Sequence, residues 1–424
     1  MLEKLKNEFV QGRMLLQFGF LQTFGYATAM LISLVVAKFF SRELFGKYSI
    51  SEMVVYFFVT LFVILPRMPF IVYANEERVA TGGIRKSASI QLIFVGTGLI
   101  LFSLTCLFFG NFLMRFAHLD RPELLCVAVA FFGLLLKDLF SSLFMALNER
   151  IKSAFIEPAY GVFALVILFG LYFAGLMSFK SAFLTYFASS VIVCFICLWF
   201  VNFRVVTPLT FDKQHFIRMG KFTLWMVFGI MSGYLIDWNG IAILKKYVSI
   251  GDLGEFNLAY KFFKGFMAIV YILPNYFLPH ISESINIESK IRFYLYHKRP
   301  VIFLLGLLCL ITAFFIIPYF ISFVFGDKYP GAIPILRILI FGVGPFLYAA
   351  FYLPIMGVKE RYKFIQVAGV TQVALNIALN LVLIPRMGTY GAAIATVIAY
   401  VYLLLLYEGY FRLKLAKIVM PKPS

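Results

Sequence analysis

Apolar residues run through this chain in blocks of about twenty, separated by short polar breaks. The blocks fall at 14–40, 48–73, 87–114, 122–147, 153–175, 181–203, 221–244, 256–280, 300–325, 332–357, 364–385 and 390–411. They are apolar on every side, as in Leu99–Phe109 and Val301–Phe315, with no alternation of period two. A bilayer core roughly 30 Å thick takes about 20 residues at the helical rise. The pattern therefore predicts twelve transmembrane helices. It excludes a membrane β-barrel, whose strands alternate polar and apolar over about ten residues. Short breaks make neighbouring helices antiparallel hairpins and leave no room for a sizeable soluble domain. The first block is too long for a signal-peptide core and is expected to be retained.

Composition agrees. Apolar residues make up 62% of the 424 and charged residues 14%, against roughly 25% charged in a soluble domain. The net charge of +18 would suggest nucleic acid in a soluble protein, but its distribution argues otherwise. With the N-terminus in the cytoplasm, 23 of the 38 lysines and arginines fall in cytoplasmic segments and nine on the opposite side. That is the positive-inside bias. Both termini are expected in the cytoplasm of a bacterial inner membrane, with no nucleic-acid partner. The cysteines lie in or beside apolar blocks, and the CxxC of Cys194 and Cys197 reads as small-residue packing within a span. The four histidines have no ligand spacing, so neither a metal nor a cofactor is expected.

The chain repeats itself. Ser41-Arg-Glu-Leu-Phe-Gly46-Lys-Tyr48 follows the first block, and Ser249-Ile-Gly-Asp-Leu-Gly254-Glu-Phe256 follows the seventh, 208 positions on. Met145-Ala-Leu-Asn-Glu149-Arg150-Ile-Lys152 follows the fourth, and Met356-Gly-Val-Lys-Glu360-Arg361-Tyr-Lys363 follows the tenth, 211 positions on. Two matches at nearly one offset predict two six-helix bundles related by internal duplication, in the same orientation, with a cavity between them. The expected parts are a cytoplasmic segment 1–13, bundles 14–203 and 221–411, a cytoplasmic linker 204–220, and a basic tail 412–424.

At these residues the sequence resembles the polysaccharide-repeat-unit flippases (O-antigen and capsule type) of the multidrug/oligosaccharidyl-lipid/polysaccharide, or MOP, exporter superfamily. The resemblance spans essentially the whole chain. It rests on the Leu44-Phe-Gly46-Lys-Tyr48 turn, on Phe325-Gly326-Asp-Lys-Tyr329-Pro-Gly-Ala-Ile-Pro334, and on Pro385-Arg-Met-Gly388-Thr-Tyr-Gly391-Ala-Ala-Ile-Ala-Thr396. It implies a MATE-like fold and a substrate: an oligosaccharide repeat unit on polyprenyl pyrophosphate, moved from the cytoplasmic to the periplasmic leaflet for surface polysaccharide assembly. Membrane lipids, a polysaccharide polymerase and chain-length proteins are the implied partners. There is no nucleotide-binding motif, and no enzymatic activity is expected.

Charges within the apolar blocks are the candidate site, because an ionisable group at bilayer depth costs at least about 2.5–3.5 kcal/mol unless it faces a cavity or a partner. Lys137 and Asp138 lie mid-span. As neighbours on a helix they point apart and need not pair. Asp237 and the pair Lys261 and Lys264 flank the hairpin near residue 250 at similar depth, which leaves a structural Asp–Lys pair open beside a functional role. Lys38 and Arg67 lie close enough to span ends to snorkel; Arg67 stands between Pro66 and Pro69. Glu52 and Glu157 lie near span entrances, and Pro274 and Pro279 are expected to bend their helix. Lys137, Lys261, Lys264, Arg67 and Lys38 are the expected pyrophosphate contacts in a cationic cavity, with Asp237 or Asp138 for ion coupling. The alternatives are a multidrug exporter of the same superfamily, which would want acidic walls, and, more distantly, a membrane polysaccharide polymerase or glycosyltransferase.

Overall fold

The computed structural model describes the backbone of residues 2–416, with side chains from residue 17 onward except Asn275 and Pro279. Most of the expected tail 412–424, the side chains of segment 1–13 and the ring of Pro279 lie outside the described residues. Within them the fold is entirely helical, and twelve helices are long and apolar enough to cross a membrane.

These are α1 (Leu2–Phe39), α2 (Arg42–Thr81), α3 (Arg85–Phe108), α4 (Arg121–Ala146), α5 (Arg150–Phe173), α6 (Phe179–Phe200), α7 (Lys213–Tyr247), α8 (Ile250–Ser284), α9 (Arg299–Phe325), α10 (Ala332–Val358), α11 (Tyr362–Met387) and α12 (Thr389–Tyr410). Helix ends follow hydrogen bonding rather than hydropathy. Thus α7 begins at Lys213, ahead of its apolar block, and α8 runs past its block to Ser284. The block at 87–114 is broken: α3 stops at Phe108, and a separate short helix runs Gly110–Ala117.

The chain divides into two compact units. One comprises Met1–Phe40 with Lys47–Met231, the other Ser41–Gly46 with Ser232–Ser424. Within the first, α4 packs on α2, α3 and α6, and α5 on α6. Within the second, α10 packs on α8, α9 and α12, and α11 on α12. Shifting each helix of the first set by six gives the second, so the same packing is built twice.

The repeated motifs show what their letters are for. Ser41 Oγ accepts from Leu44 N, and Ser249 Oγ accepts from Asp252 N, so each serine caps the helix that follows. Phe45, Tyr48, Leu253 and Phe256 are all buried. The two glycines meet the opposite copy. A Cβ on Gly46 would overlap Ile250 O, and one on Gly254 would overlap Arg42 O. Residues 42 and 250 are themselves 208 apart, so the contact is reciprocal. Arg42 Nη1 also donates to Glu255 Oε1 at 2.8 Å.

The second repeat is also a matched turn, slipped by one residue. After α4, Asn148 takes φ 62° while Asn148 N and Glu149 N donate back to Met145 O and Phe144 O. After the proline-containing α10, Glu360 takes φ 55° while Glu360 N and Arg361 N donate to Gly357 O and Met356 O. Both are left-handed helix terminations that satisfy the last carbonyls. Their left-handed residues are 212 apart, although the letters align at 211.

Candidate functional site

The first charged group forms on α2, α4 and α5. Approaching Pro66, α2 widens into a π turn over Thr60–Ile64, in which Leu65 N reaches back to Thr60 O. Proline offers no N–H to the helical ladder, and such bulges take up the mismatch. Beyond it Arg67 Nη2 donates to Ser141 Oγ on α4 at 3.1 Å. Four residues before Ser141 on α4 stands Lys137, only 5% exposed.

Lys137 is held by carboxylates. Its Nζ lies 2.5 Å from Glu157 Oε1 on α5 and 3.2 Å from Asp138 Oδ1, and 4.7 Å from the centroid of the Tyr160 ring. Lys137 and Asp138, which as helix neighbours need not pair, do approach each other: the Cβ vectors diverge, but the four-carbon lysine stem is long enough to bend back. Glu157 is brought in by close packing of α1 on α5. A Cβ on Gly25 would stand 2.9 Å from Glu157 Cβ, and one on Gly161 would overlap Thr28. Glu52, on α2, is also buried. Around Lys137 and Arg67 there are therefore at least as many carboxylates as cations, where the apolar blocks suggested a basic excess.

The second group forms within α7 and α8. Lys264 Nζ lies 2.7 Å from both Asp237 oxygens, and Tyr260 OH donates to Asp237 Oδ1 at 3.2 Å. Lys261, one turn earlier on α8, places its Nζ 5.8 Å from the Trp238 ring centroid, near enough for a cation–π contact. The structure thus brings Asp237 and Lys264 together and keeps Lys261 beside them. Lys38 is exposed in the last turn of α1.

Two polar groups escaped the sequence reading. In the second unit, Asn239 Nδ2 donates to Asn376 Oδ1 at 2.8 Å, and Asn380 Nδ2 donates to Asn239 Oδ1 at 2.6 Å. All three asparagines are buried, and among the described residues Asn376 Nδ2, Asn380 Oδ1 and Gln372 Nε2 have no hydrogen-bond partner. In the first unit, Glu77 accepts from Lys86 N, Ser87 N and Ser87 Oγ at 2.8–2.9 Å, which caps α3. Ser87 Oγ also meets His215 Nε2 at 2.8 Å. Beside it, Asp212 caps α7 and pairs with Lys86; that hydrogen bond and the backbone amide of His215 hold its carboxyl down to about 2. Among the described residues no group of His, Cys, Asp and Glu is placed to hold a metal.

The fold is similar to that of solved MurJ and MATE structures. A structure of the lipid II flippase MurJ in an inward closed conformation superimposes with a TM-score of 0.71 over 93% of this chain and 87% of that one, at 16% identity. An inward-facing multidrug resistance MATE family transporter of the MOP superfamily gives 0.76, covering 95% and 96%, at 11% identity. A MOP superfamily transporter from Pyrococcus furiosus, described as having a binding pocket of reverse polarity that suggests a different function, gives 0.57 over 95% of each chain at 12% identity. No protein-family model matches the chain, and no curated protein matches it in sequence.

Proposed function

We propose that this chain is a non-enzymatic transporter that flips a polyprenyl-pyrophosphate-linked oligosaccharide repeat unit from the cytoplasmic to the periplasmic leaflet of a bacterial inner membrane, by alternating access, for surface polysaccharide assembly. Its product would pass to a polysaccharide polymerase and chain-length proteins. The carrying observation is that Lys137 and Lys264 sit deep in spanning helices, each held by a carboxylate that another anion can replace. A pyrophosphate brings several charged oxygens to a site built for one or two. Glu157, with its side chain 39% exposed, is the carboxylate such an anion displaces. Arg67 and Lys261 stand one group away as further contacts, and Lys38 is a contact nearer the span end. Asp237 and Asp138 carry the coupling ion. The fold shared with a lipid II flippase supports the transport class, and the lysines support an anionic head group.

A second reading, export of cationic drugs, draws on the carboxylates around Lys137, which would form an acidic site if that lysine swung away. The test is surface-polysaccharide assembly in cells whose own flippase gene has been replaced by this one. Lys137→Ala and Lys264→Ala, each checked for membrane insertion, are expected to lower polymer output at least tenfold. Unchanged output removes that residue from the site. Energy-dependent efflux of a cationic dye that survives Lys137→Ala moves the assignment to the second reading.

A further inference from the structure

On the second unit, α9, α10 and α12 enclose an open groove of about 570 Å³ whose lining residues are all apolar apart from the Tyr348 hydroxyl. Phe303, Leu307 and Phe314 form its wall on α9, and Phe341 and Tyr348 its wall on α10. From Phe303 to Phe315 it follows α9 for about 18 Å at the helical rise. Gly344 opens the middle of the α10 wall, where an added Cβ would meet nothing within 4 Å.

Charge stands just beyond one end of the groove, against its lining residue Tyr348. Arg299, one turn before Phe303, is 6% exposed and places its guanidinium carbon 4.2 Å from the centroid of the Tyr348 ring. It donates to Tyr352 OH, and among the described residues its Nε has no hydrogen-bond partner. Glu408 Oε2 lies 4.0 Å from Arg299, but the same carboxylate pairs with Arg412 at 2.5 Å. Two arginines share one carboxylate, so this end keeps a positive charge and an unsatisfied donor. An unsatisfied buried guanidinium donor is costly to retain, and it is aptly placed for a phosphate oxygen.

We infer that this groove holds the prenyl chain of a polyprenyl phosphate lipid, with the phosphate at Arg299. The inference rests on the flippase reading above for the identity of the lipid. A single apolar groove ending in cationic charge fits one long hydrocarbon chain with a terminal phosphate, whereas a phospholipid brings two chains and a glycerol. The positive-inside count puts Arg299 at the cytoplasmic end of α9, the leaflet in which a lipid-linked repeat unit starts. Holding the chain there leaves the sugar-bearing head to the charged groups of the spanning helices.

The test is binding of undecaprenyl phosphate to the purified full-length protein, counted by native mass spectrometry beside dioleoyl phosphatidylglycerol and the uncharged prenol geranylgeraniol. The wild type is expected to bind undecaprenyl phosphate at least tenfold more tightly than the phospholipid. Gly344→Leu adds a side chain on the groove wall, at a position where its Cβ meets nothing within 4 Å, and is expected to reduce binding of both prenyl ligands at least tenfold. Arg299→Gln is expected to weaken undecaprenyl phosphate at least tenfold and leave geranylgeraniol unchanged. Equal affinity for the two lipids, or wild-type binding by Gly344→Leu, overturns the assignment even where Arg299→Gln fails to fold. A wild type that binds through this groove yet supports no polysaccharide assembly overturns the flippase reading alone. One that supports assembly unaltered by Gly344→Leu, with binding also unaltered, overturns the groove alone.

Discussion

Glu157 Oε1 stands 2.5 Å from Lys137 Nζ, joining α5 to α4 in the interior of the first unit. Asp138 Oδ1 takes a second position on the same ammonium at 3.2 Å. The pair makes Lys137 a cation that is already satisfied, so an incoming anion competes with a resident carboxylate for it.

That competition has a measurable consequence. Glu157→Gln keeps the side-chain shape and one acceptor while removing the charge, so it is expected to tighten binding of a soluble pyrophosphate probe such as farnesyl pyrophosphate by about tenfold, the equivalent of 1.4 kcal/mol. Lys137→Ala acts oppositely and also strands Asp138 and Glu157 beside each other, with Arg67 the neighbouring cation. Removing one partner of a buried ion pair typically costs about 3–5 kcal/mol. Thermal unfolding in detergent should therefore drop clearly for Lys137→Ala and little for Glu157→Gln, which leaves Asp138 on the lysine. Equal pyrophosphate affinity in wild type and Glu157→Gln would show that the carboxylate does not occupy the anion position.

The reciprocal contact of Gly46 with Ile250 O and of Gly254 with Arg42 O makes both glycines sensitive to any side chain. Gly46→Ala and Gly254→Ala are each expected to destabilise the protein by about 1–3 kcal/mol through overpacking. Gly96→Ala is the control, because nothing lies within 4 Å of its added Cβ and alanine is the better helix former by about 1 kcal/mol. Ser41→Ala and Ser249→Ala should each cost about 1 kcal/mol as lost helix caps. Thermal-shift ranking of these five variants checks the whole scheme, and a harmless Gly46→Ala would remove it.

These glycines also show why so much of the fold was legible. Each repeated letter has a local duty that sequence can express: a serine to cap, an apolar and an aromatic residue to bury, a glycine where two backbones approach. Hydropathy found the twelve spans because the bilayer demands about twenty apolar residues from each, but it could not find helix ends, since a helix runs on into water unchanged. The site was less legible. Glu157 looked like an entrance residue, and only the tight Gly25 and Gly161 crossing of α1 on α5 fixes where it faces. The amides Asn239, Asn376 and Asn380 barely disturb an apolar block; Asn376 and Asn380 share a face of α11 one turn apart, and Asn239 joins them only where α7 meets α11 in the fold. Asp237 and Lys264 were placed at one depth because a hairpin makes depth a matter of counting residues.

For that pair the prediction is a coupling energy. Lys264 holds both Asp237 oxygens, whereas Lys261 stands by Trp238. In double-mutant cycles with Asp237→Asn, Lys264→Gln should show a coupling of about 1–3 kcal/mol, within the range for residues in direct contact, and a coupling near zero would mean that the pair does not act as one unit. Polysaccharide output should fall in both single lysine variants if both serve the substrate. Loss confined to Lys264→Gln would leave Lys261 with no transport role.

Glu77 offers the strongest test of how the first unit is pinned. Its carboxylate is buried and accepts from two backbone amides at the start of α3, Lys86 N and Ser87 N, and from Ser87 Oγ. Helix N-termini carry unpaired N–H groups and a partial positive charge, so one side chain answers both. The hydroxyl it accepts from also meets His215 on α7, which ties the turn at Gly82 to the start of α7. Glu77→Gln retains one acceptor oxygen but brings an amide donor toward donors already in place; it should cost about 1–2 kcal/mol. Glu77→Ala leaves two buried N–H groups unanswered, at about 1–3 kcal/mol for each group left unsatisfied, and should unfold the protein earlier than Glu77→Gln on heating. Hydrogen exchange of the Lys86 and Ser87 amides gives the local readout: both should speed up in Glu77→Ala, while amides in the middle of α3 keep their protection. Unchanged exchange at the two amides would mean that water, not Glu77, satisfies the start of α3.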